Sequence, residues 1–347
     1  MKEDKNIRHL SLSELEQYFE TIGEKKFRAR QVYEWIWQKH AHSFEAMTNL
    51  SKDLREGLAA VFSLPALVVD ATQYSADGTV KSRFKTVDGH LVEGVLIPTD
   101  ERKTACVSSQ IGCSLSCKFC ATGYMARKRN LDYDEIVDEV VLINQQSERV
   151  YEKKLSNIVF MGMGEPLLNY KNVLKAIERI TSPDGLGMSP RRITVSTAGV
   201  AKMIRQLGDD KVKFKLALSL HAANDTKRNE IMPVNETNNI KALTDALNYF
   251  YQQTGNEITF EYILFKDFNE SRQDADELVK IYRQVPADLV NIIEYNPIDA
   301  ALFAKPEESA IQKFMEHLEK NRVNARLRRS RGKDIDAACG QLANKDH

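Results

Sequence analysis

Three cysteines fall within eight residues of one another in the segment IGCSLSCKFCATG, with three residues between Cys113 and Cys117 and two between Cys117 and Cys120. A compact loop of this kind lets thiolates converge on metal, and a four-iron cube is normally held by four of them. This loop supplies three. A [4Fe-4S] cluster held by Cys113, Cys117 and Cys120 keeps its fourth iron open to a chelating ligand from outside the chain. Structural zinc is the plainer reading, but zinc sites are normally closed by a fourth Cys or His. The nearest histidines in sequence are His90 and His221, so the spacing favours the cluster.

Five cysteines, an odd number with three clustered, do not form the framework of a secreted disulfide protein. The remaining two are Cys106, seven residues before the cluster motif, and Cys339, in an Ala-Ala-Cys-Gly turn. A free cysteine is usually a small buried hydrophobe. A thiol close to a basic segment such as Arg326, Arg328, Arg329 and Arg331 instead tends toward thiolate and becomes a nucleophile. Other polar groups stand just after apolar runs: Gly164 and Glu165 in FMGMGEPLLN, Ser196 in STAG, Ser219 and His221 flanking Leu220 in LSLHA, and Asn296 in EYNP. Taken singly these are weak signals. Gly-rich turns are common loop formers, an isolated His is more often structural, and Glu93 in HLVEGVLIP reads as the solvent-facing side of an alternating strand.

The elements that must carry these residues follow from periodicity. From Leu10 to Phe62 apolar residues recur at helical spacing (Leu12, Leu15, Phe19; Val32, Trp35, Ile36; Leu54, Leu58, Val61), which predicts two or three short helices, the first opened by a capping box of Ser11 and Glu14. After Pro65 the pattern alternates, with VKSRFKTV and HLVEGVLI as strands and Asp77-Gly78 and Asp88-Gly89 as turns. From Thr104 onward six apolar strands, TACVSS, SNIVFMG, RRITVSTA, KFKLALSL, ITFEYIL and DLVNIIEYN, alternate with helical stretches. The pattern predicts an α/β fold, a partly open (βα)6 barrel, in which loops at the C-terminal strand ends build the site. The expected organisation is a helical domain over 1–64, a β-hairpin region over 65–100, the barrel over 101–330 and a cysteine-bearing tail over 331–347. Lys+Arg and Asp+Glu both total 49 among 347 residues, so a nucleic-acid partner must be held by local patches rather than a global field. With no apolar run of signal-peptide or membrane-spanning length, the sequence reads as a cytoplasmic protein with no membrane partner.

Together SSQIGCSLSCKFCATG, FMGMGEPL, STAG, SLHA, EYNP and DIDAACGQL resemble the adenosine-C2 methyltransferases of the radical S-adenosylmethionine (SAM) superfamily, which modify 23S rRNA and tRNA. Phe119 matches the aromatic residue of that superfamily's CxxxCxxC signature, and the DIDAACGQ tail is the most discriminating segment. The resemblance implies that SAM chelates the open iron, with Gly164, Glu165, Ser196, Ser219, Leu220, His221 and Asn296 forming its pocket. It further implies two SAM molecules per turnover. Cys339 takes a methyl group from one, and a radical made from the second removes hydrogen from that methyl. The methylene radical adds to the electron-poor carbon 2 of adenine, Glu93 accepts the proton, and Cys106 releases the adduct by forming a disulfide with Cys339. An external reductant resets the pair, and a flavodoxin-type donor serves the cluster. The resemblance also gives the helical domain a part in engaging RNA, with the target adenine splayed out of its helix or loop. Candidate phosphate contacts are Lys25, Lys26, Arg28, Arg30, Arg127, Lys128, Arg129 and the Arg-rich tail, on a monomer. A sibling enzyme acting at carbon 8 is the nearest rival, and that group tends to carry Ala where this chain has Pro166. A non-catalytic metal-binding RNA module is the rival from another class.

Overall fold

The computed structural model describes residues 5–301 and 303–345. Its N-terminal part is three helices, α1 (Leu12–Thr21), α2 (Lys26–Trp37) and α3 (Lys52–Val61). The capping box is present: Ser11 N–H donates to Glu14 at 2.7 Å and Glu14 N–H donates to the Ser11 hydroxyl at 3.2 Å. Leu15, Phe19, Val32, Ile36, Leu54 and Leu58 face inward as their spacing predicts, but Val61 is exposed and Trp35 only half-buried. Trp37 takes the inward position instead, stacked on Tyr133 at 5.9 Å. Trp35 lies along the rim, where its indole N–H donates to Asn49 and the Lys39 ammonium sits 3.9 Å over the ring.

What docks this domain is a buried arginine. Arg8 donates to both carboxylate oxygens of Asp138 at 2.7 and 2.6 Å and to the carbonyls of Pro65 and Asp134. Asp134 and Asp138 belong to α4 (Tyr133–Tyr151), the first helix of the barrel. A bidentate guanidinium–carboxylate pair is the form in which a charge tolerates burial, and the one donor left without a hydrogen bond, Nε, still lies 3.8 Å from the Asp134 carboxylate.

One open sheet of ten strands runs in strict chain order: β1 (Val68–Tyr74), β2 (Val80–Lys85), β3 (Leu91–Pro98), β4 (Lys103–Cys106), β5 (Asn157–Phe160), β6 (Ile193–Thr197), β7 (Lys215–Ser219), β8 (Ile258–Leu264), β9 (Leu289–Glu294) and β10 (Ala325–Arg328). The first four pair antiparallel, and every later neighbour is parallel. All six expected barrel strands are present, and the Arg-rich segment adds a seventh parallel strand, β10, beside β9. Helices α5 (Tyr170–Thr181), α6 (Ala201–Asp209), α7 (Asp225–Ile231), α8 (Ile240–Thr254), α9 (Arg272–Gln284) and α10 (Glu308–Lys320) supply the crossovers. With helices outside and side chains inside, β8 is buried along its whole length, which is why it reads as an apolar run.

The hairpin region does not stand apart. Its strand β3 pairs with β4 (Val95 opposite Cys106), so the antiparallel strands extend the barrel sheet. The outermost strand, β1, bulges between Val69 and Ala71 and leaves Val68, Val69 and Tyr74 exposed. Nor is the tail beyond residue 331 an appendage: Gly332 N–H donates to Asp77, and Asp334 accepts from Ser75 and Ala76. Among the described residues no helix is long and apolar enough to cross a membrane.

The domain seam carries a pH dependence. His9 Nε2 lies 3.5 Å from Asp134, and hydrogen bonding to that carboxylate raises the histidine above its ordinary 6.5. A group whose pKa is higher folded than unfolded adds stability below the unfolded value and loses it as pH climbs through the folded one. Comparing urea midpoints of the wild type and His9→Gln should therefore show the largest deficit for the variant at about pH 6, fading by about pH 9.

Candidate active site

The cluster loop begins where β4 ends. Ser109 N–H and Gln110 N–H both donate to the Met163 carbonyl, and Leu131 N–H donates to Ser109, so the chain leaving the strand is held before it reaches Cys113. The loop then folds tightly on itself. A Cβ at Gly123 would meet the Cys117 carbonyl at 2.7 Å, and one at Gly112 the Ala126 carbonyl at 2.5 Å. Lys118 N–H donates to the Ile231 carbonyl, seating the loop on the end of α7.

Cys113, Cys117 and Cys120 face a cavity of about 150 Å³, shared with Gly164, Glu165, Ser196, Ser219, His221 and Cys339. The only three ligand atoms among the described residues that all come within 4.8 Å of one another belong to His9, Asp132 and Asp134, so the three thiols are spread more widely than that. Zinc with bonds of about 2.3 Å draws its sulfurs to within about 3.8 Å. A loop of three separated thiols around a cavity suits a cube of irons better than one tetrahedral ion. Burial pushes the Cys113 thiol up to about 11 and raises Cys117 and Cys120 as well, so the loop without metal carries protons that any metal bound there would have to displace.

The remaining walls come from strand ends. At Gly164 the backbone is left-handed (φ +90°), and an added Cβ would sit 2.5 Å from Gln110. Glu165 is buried, which raises its carboxyl, while amide donors counter that effect: Ala198 N–H at 2.7 Å and Leu167 N–H at 3.0 Å. The hydroxyls of Ser196 and Ser219 meet at 3.3 Å. His221 has a left-handed backbone (φ +54°), stands edge-on to Phe119 at 4.7 Å and accepts from Ile263 N–H through Nδ1. Burial, with the charge of Arg228, lowers it to about 3, so this imidazole is neutral at working pH. Two expected pocket residues lie behind the wall. Leu220 is buried and gives its carbonyl to Arg228. Asn296 donates to Ser330 and to the Cys339 carbonyl, while its own buried amide oxygen has no partner.

Cys339 arrives from the tail. Ala121 N–H donates to the Gly340 carbonyl at 2.7 Å and the Thr122 hydroxyl to the Leu342 carbonyl at 2.7 Å, stitching the tail to the residues just after Cys120. A second cavity, of about 620 Å³, occupies the barrel interior and shares Cys120, Met161, Glu261, Arg328 and Cys339 with the first. Cys106 opens on this lower cavity alone. Burial raises its thiol strongly, and the charge of Cys339 adds to that, so the two sulfurs sense each other. Of the Arg-rich segment, Arg328 is the residue at the junction, with Nη1 3.5 Å from Glu261 and 3.7 Å from Met161 Sδ. Glu261 escaped the sequence reading, although a carboxylate amid ITFEYIL is a signal for a lumen position.

Glu93 differs from its expectation. It is buried, with Lys81 at 3.6 Å, and accepts from the tail amides Ala343 at 2.9 Å and Asn344 at 3.0 Å. It lines neither cavity. The tail covers what alternation had read as a wet face. Arg129, one of the expected phosphate contacts, is occupied by Asp88 and Glu135, whereas Arg326, Arg328, Arg329 and Arg331 line the lower cavity.

Residues 5–64 match the family model described as the ribosomal RNA large subunit methyltransferase N-terminal domain, and residues 107–279 match that of the radical SAM superfamily. The chain is 57% identical over 342 residues to a probable dual-specificity RNA methyltransferase RlmN of Cytophaga hutchinsonii, covering 99% of this chain and 93% of that one. A relative of the same description in Christiangramia forsetii is 54% identical, covering 98% and 97%. The crystal structure of a radical SAM methyltransferase from Sphaerobacter thermophilus, 39% identical, matches with a TM-score of 0.92 over 98% of this chain and 100% of that chain. Cysteine loop, barrel, helical domain and relatives agree: this chain belongs to the RlmN family of radical SAM RNA methyltransferases.

Proposed function

We propose that this protein methylates carbon 2 of an adenosine in 23S rRNA and in tRNA through a methyl group carried on Cys339, with a [4Fe-4S] cluster on Cys113, Cys117 and Cys120 and two SAM molecules per turnover. The observation that carries the reading is the place of Cys339, at the join of the cavity faced by Cys113, Cys117 and Cys120 and the lower cavity, beside Arg328. Cofactor and substrate reach the same sulfur from different sides.

The first step needs Cys339 as a nucleophile. Its thiol loses a proton, the sulfur takes the methyl of one SAM, and the sulfonium leaves as the neutral thioether. When bound, the cluster and a second SAM supply a carbon radical that removes one hydrogen atom from that methyl. Ser196, Ser219 and the neutral His221 line the space in which SAM is oriented. Carbon 2 of adenine then joins the carbon on Cys339 as a radical adduct, which gives up one electron that the cluster would take back, and Glu93, beneath the tail that carries the cysteine, accepts the proton that carbon 2 loses. Cys106 ends the cycle: its thiol loses a proton, its sulfur bonds to that of Cys339 as the carbon–sulfur bond breaks, and the released carbon takes up one proton and leaves as the methyl group of the base. Two electrons from an external reductant restore the thiols, and a flavodoxin-type donor supplies the cluster. The Arg-lined lower cavity offers the flipped base and its phosphates their approach. Such RNA substrates set the enzyme in the cytoplasm.

Three outcomes are expected. Cys106→Ala purified from cells should carry covalently bound RNA, seen as a nuclease-trimmed mass adduct, while Cys339→Ala should show neither self-methylation nor adduct; free turnover by Cys106→Ala would contradict the release step. Digested RNA from cells expressing the protein should gain 2-methyladenosine by mass spectrometry, and 8-methyladenosine instead would assign the carbon-8 reaction. Glu165→Gln should lose about 1–3 kcal/mol in urea unfolding, because an amide has one acceptor where Ala198 and Leu167 need two.

A further inference from the structure

Beneath the cluster loop lies a buried cation with no anion in contact. Arg228, on α7, is 0% exposed. Its guanidinium donates to the carbonyls of Leu220 (3.1 Å), Ala198 (2.6 Å) and Ser219 (3.2 Å) and to the Asn235 amide oxygen (2.6 Å), all of them neutral. None of the ion pairs among the described residues includes it; Asp225, the acid on the same helix, accepts from Asn235 and the amide of Ile240 and acts on the guanidinium without touching it, more weakly than Cys117 does. Burial brings the guanidinium down to about 10, which leaves it charged at neutral pH, and Cys117 is the strongest influence pulling the other way.

Neutral oxygens solvate a guanidinium but do not cancel its charge, and a buried charge left uncancelled is costly. Interlocking the ends of β6 and β7 through Ala198 and Ser219 explains the fork shape but not the charge, since neutral donors serve carbonyls as well. Beyond Asp225, the groups that would supply negative charge here are the three thiols when they ligate iron. The same helix seats the loop, for Ile231, three residues on, accepts from Lys118 N–H, next to Cys117.

We propose that Arg228 is the counter-charge of the iron-sulfur cluster, a positioning residue that raises the cluster's reduction potential from below while holding the ends of β6 and β7. Reduction brings in one electron with no proton or ligand, so the site becomes more negative by one charge. A fixed cation nearby stabilises that state, and net charge around a cluster is one of the levers on its potential. The inference rests on the cluster assignment made above.

The test is an anaerobic potentiometric titration of the full chain, reconstituted with iron and sulfide, with dithionite as the one-electron donor and the paramagnetic signal of the reduced cluster as readout. At the wild-type midpoint, Arg228→Gln should show about a tenfold lower ratio of reduced to oxidised cluster, a midpoint lower by about 59 mV for a one-electron couple. Arg228→Lys, which keeps the charge and loses the fork, should stay within about threefold of the wild type. A purely structural role would change iron content and leave the potential of the loaded fraction alone. A fully loaded Arg228→Gln with the wild-type potential therefore overturns the inference and leaves the proposed function standing. Should Arg228→Gln not load, Asn235→Asp, which sets a carboxylate against the guanidinium in place, must lower the potential, and an unchanged value there overturns the inference equally. A wild-type protein that takes up no iron-sulfur chromophore overturns the cluster assignment itself and this inference with it.

Discussion

Two hydrogen bonds, from Ala121 N–H to the Gly340 carbonyl and from the Thr122 hydroxyl to the Leu342 carbonyl, join residues more than two hundred positions apart and set a cysteine from the tail against a loop that already holds three. Neutral hydrogen bonds contribute only about 1 kcal/mol each, so these two cannot fix the tail alone. The Glu93 carboxylate is the complement, with charge-assisted bonds to the next two amides and Lys81 behind it. Asp77 and Asp334 hold the other end of the same segment against the hairpin. The antiparallel strands are therefore part of the site although none of their side chains faces the upper cavity: they are the surface on which the tail is laid.

A closed barrel of eight strands fills its interior with branched apolar side chains. Seven parallel strands in an open sheet leave an interior of about 620 Å³ instead, and polar groups line it. The groups at its centre answer one another: Asn291 donates to Glu261 and accepts from Arg326, Glu261 also accepts from Thr259, and Arg328 completes the set. A mutually satisfied network is the condition under which polar side chains tolerate such a place. It gives the lower cavity a basic lining and leaves the upper one largely to sulfur, glycine and aromatic edges.

The barrel strands were legible because helices cover one face and the lumen the other, leaving short apolar runs that end in polar residues. The cluster loop was legible for a different reason, since its chemistry is local and three ligands lie within eight residues. What failed did so through distance. Strand β1, exposed at the sheet edge and bulged, has no buried face to write a period of two. Glu93 obeys the alternation of its strand, but its wet face is covered by a segment 250 residues later in the chain. Arg228 sits among TKRNEI as one charged residue in a short polar helix, and only the assembled fold shows that its neighbours are carbonyls rather than water. Leu220 and Asn296 were rightly placed at strand ends, yet which face of the end they take is decided by packing that sequence does not display.

The two cysteines outside the cluster differ in a way that bears on the order of the proposed reaction. Cys106 is part of a strand, paired on both sides with Val95 and Val159, and opens only downward. Cys339 lies in a turn before a left-handed glycine and opens both ways. A group acquired from above must therefore be carried on Cys339, because the Cys106 sulfur does not face the upper cavity, and a base arriving from below meets both sulfurs. Burial also keeps the Cys106 thiol protonated far more firmly than an ordinary cysteine, which restrains it from attacking early. In the proposed reaction release then waits on a group that takes its proton, and geometry and burial together favour Cys339 as the carrier and Cys106 as the resolving thiol.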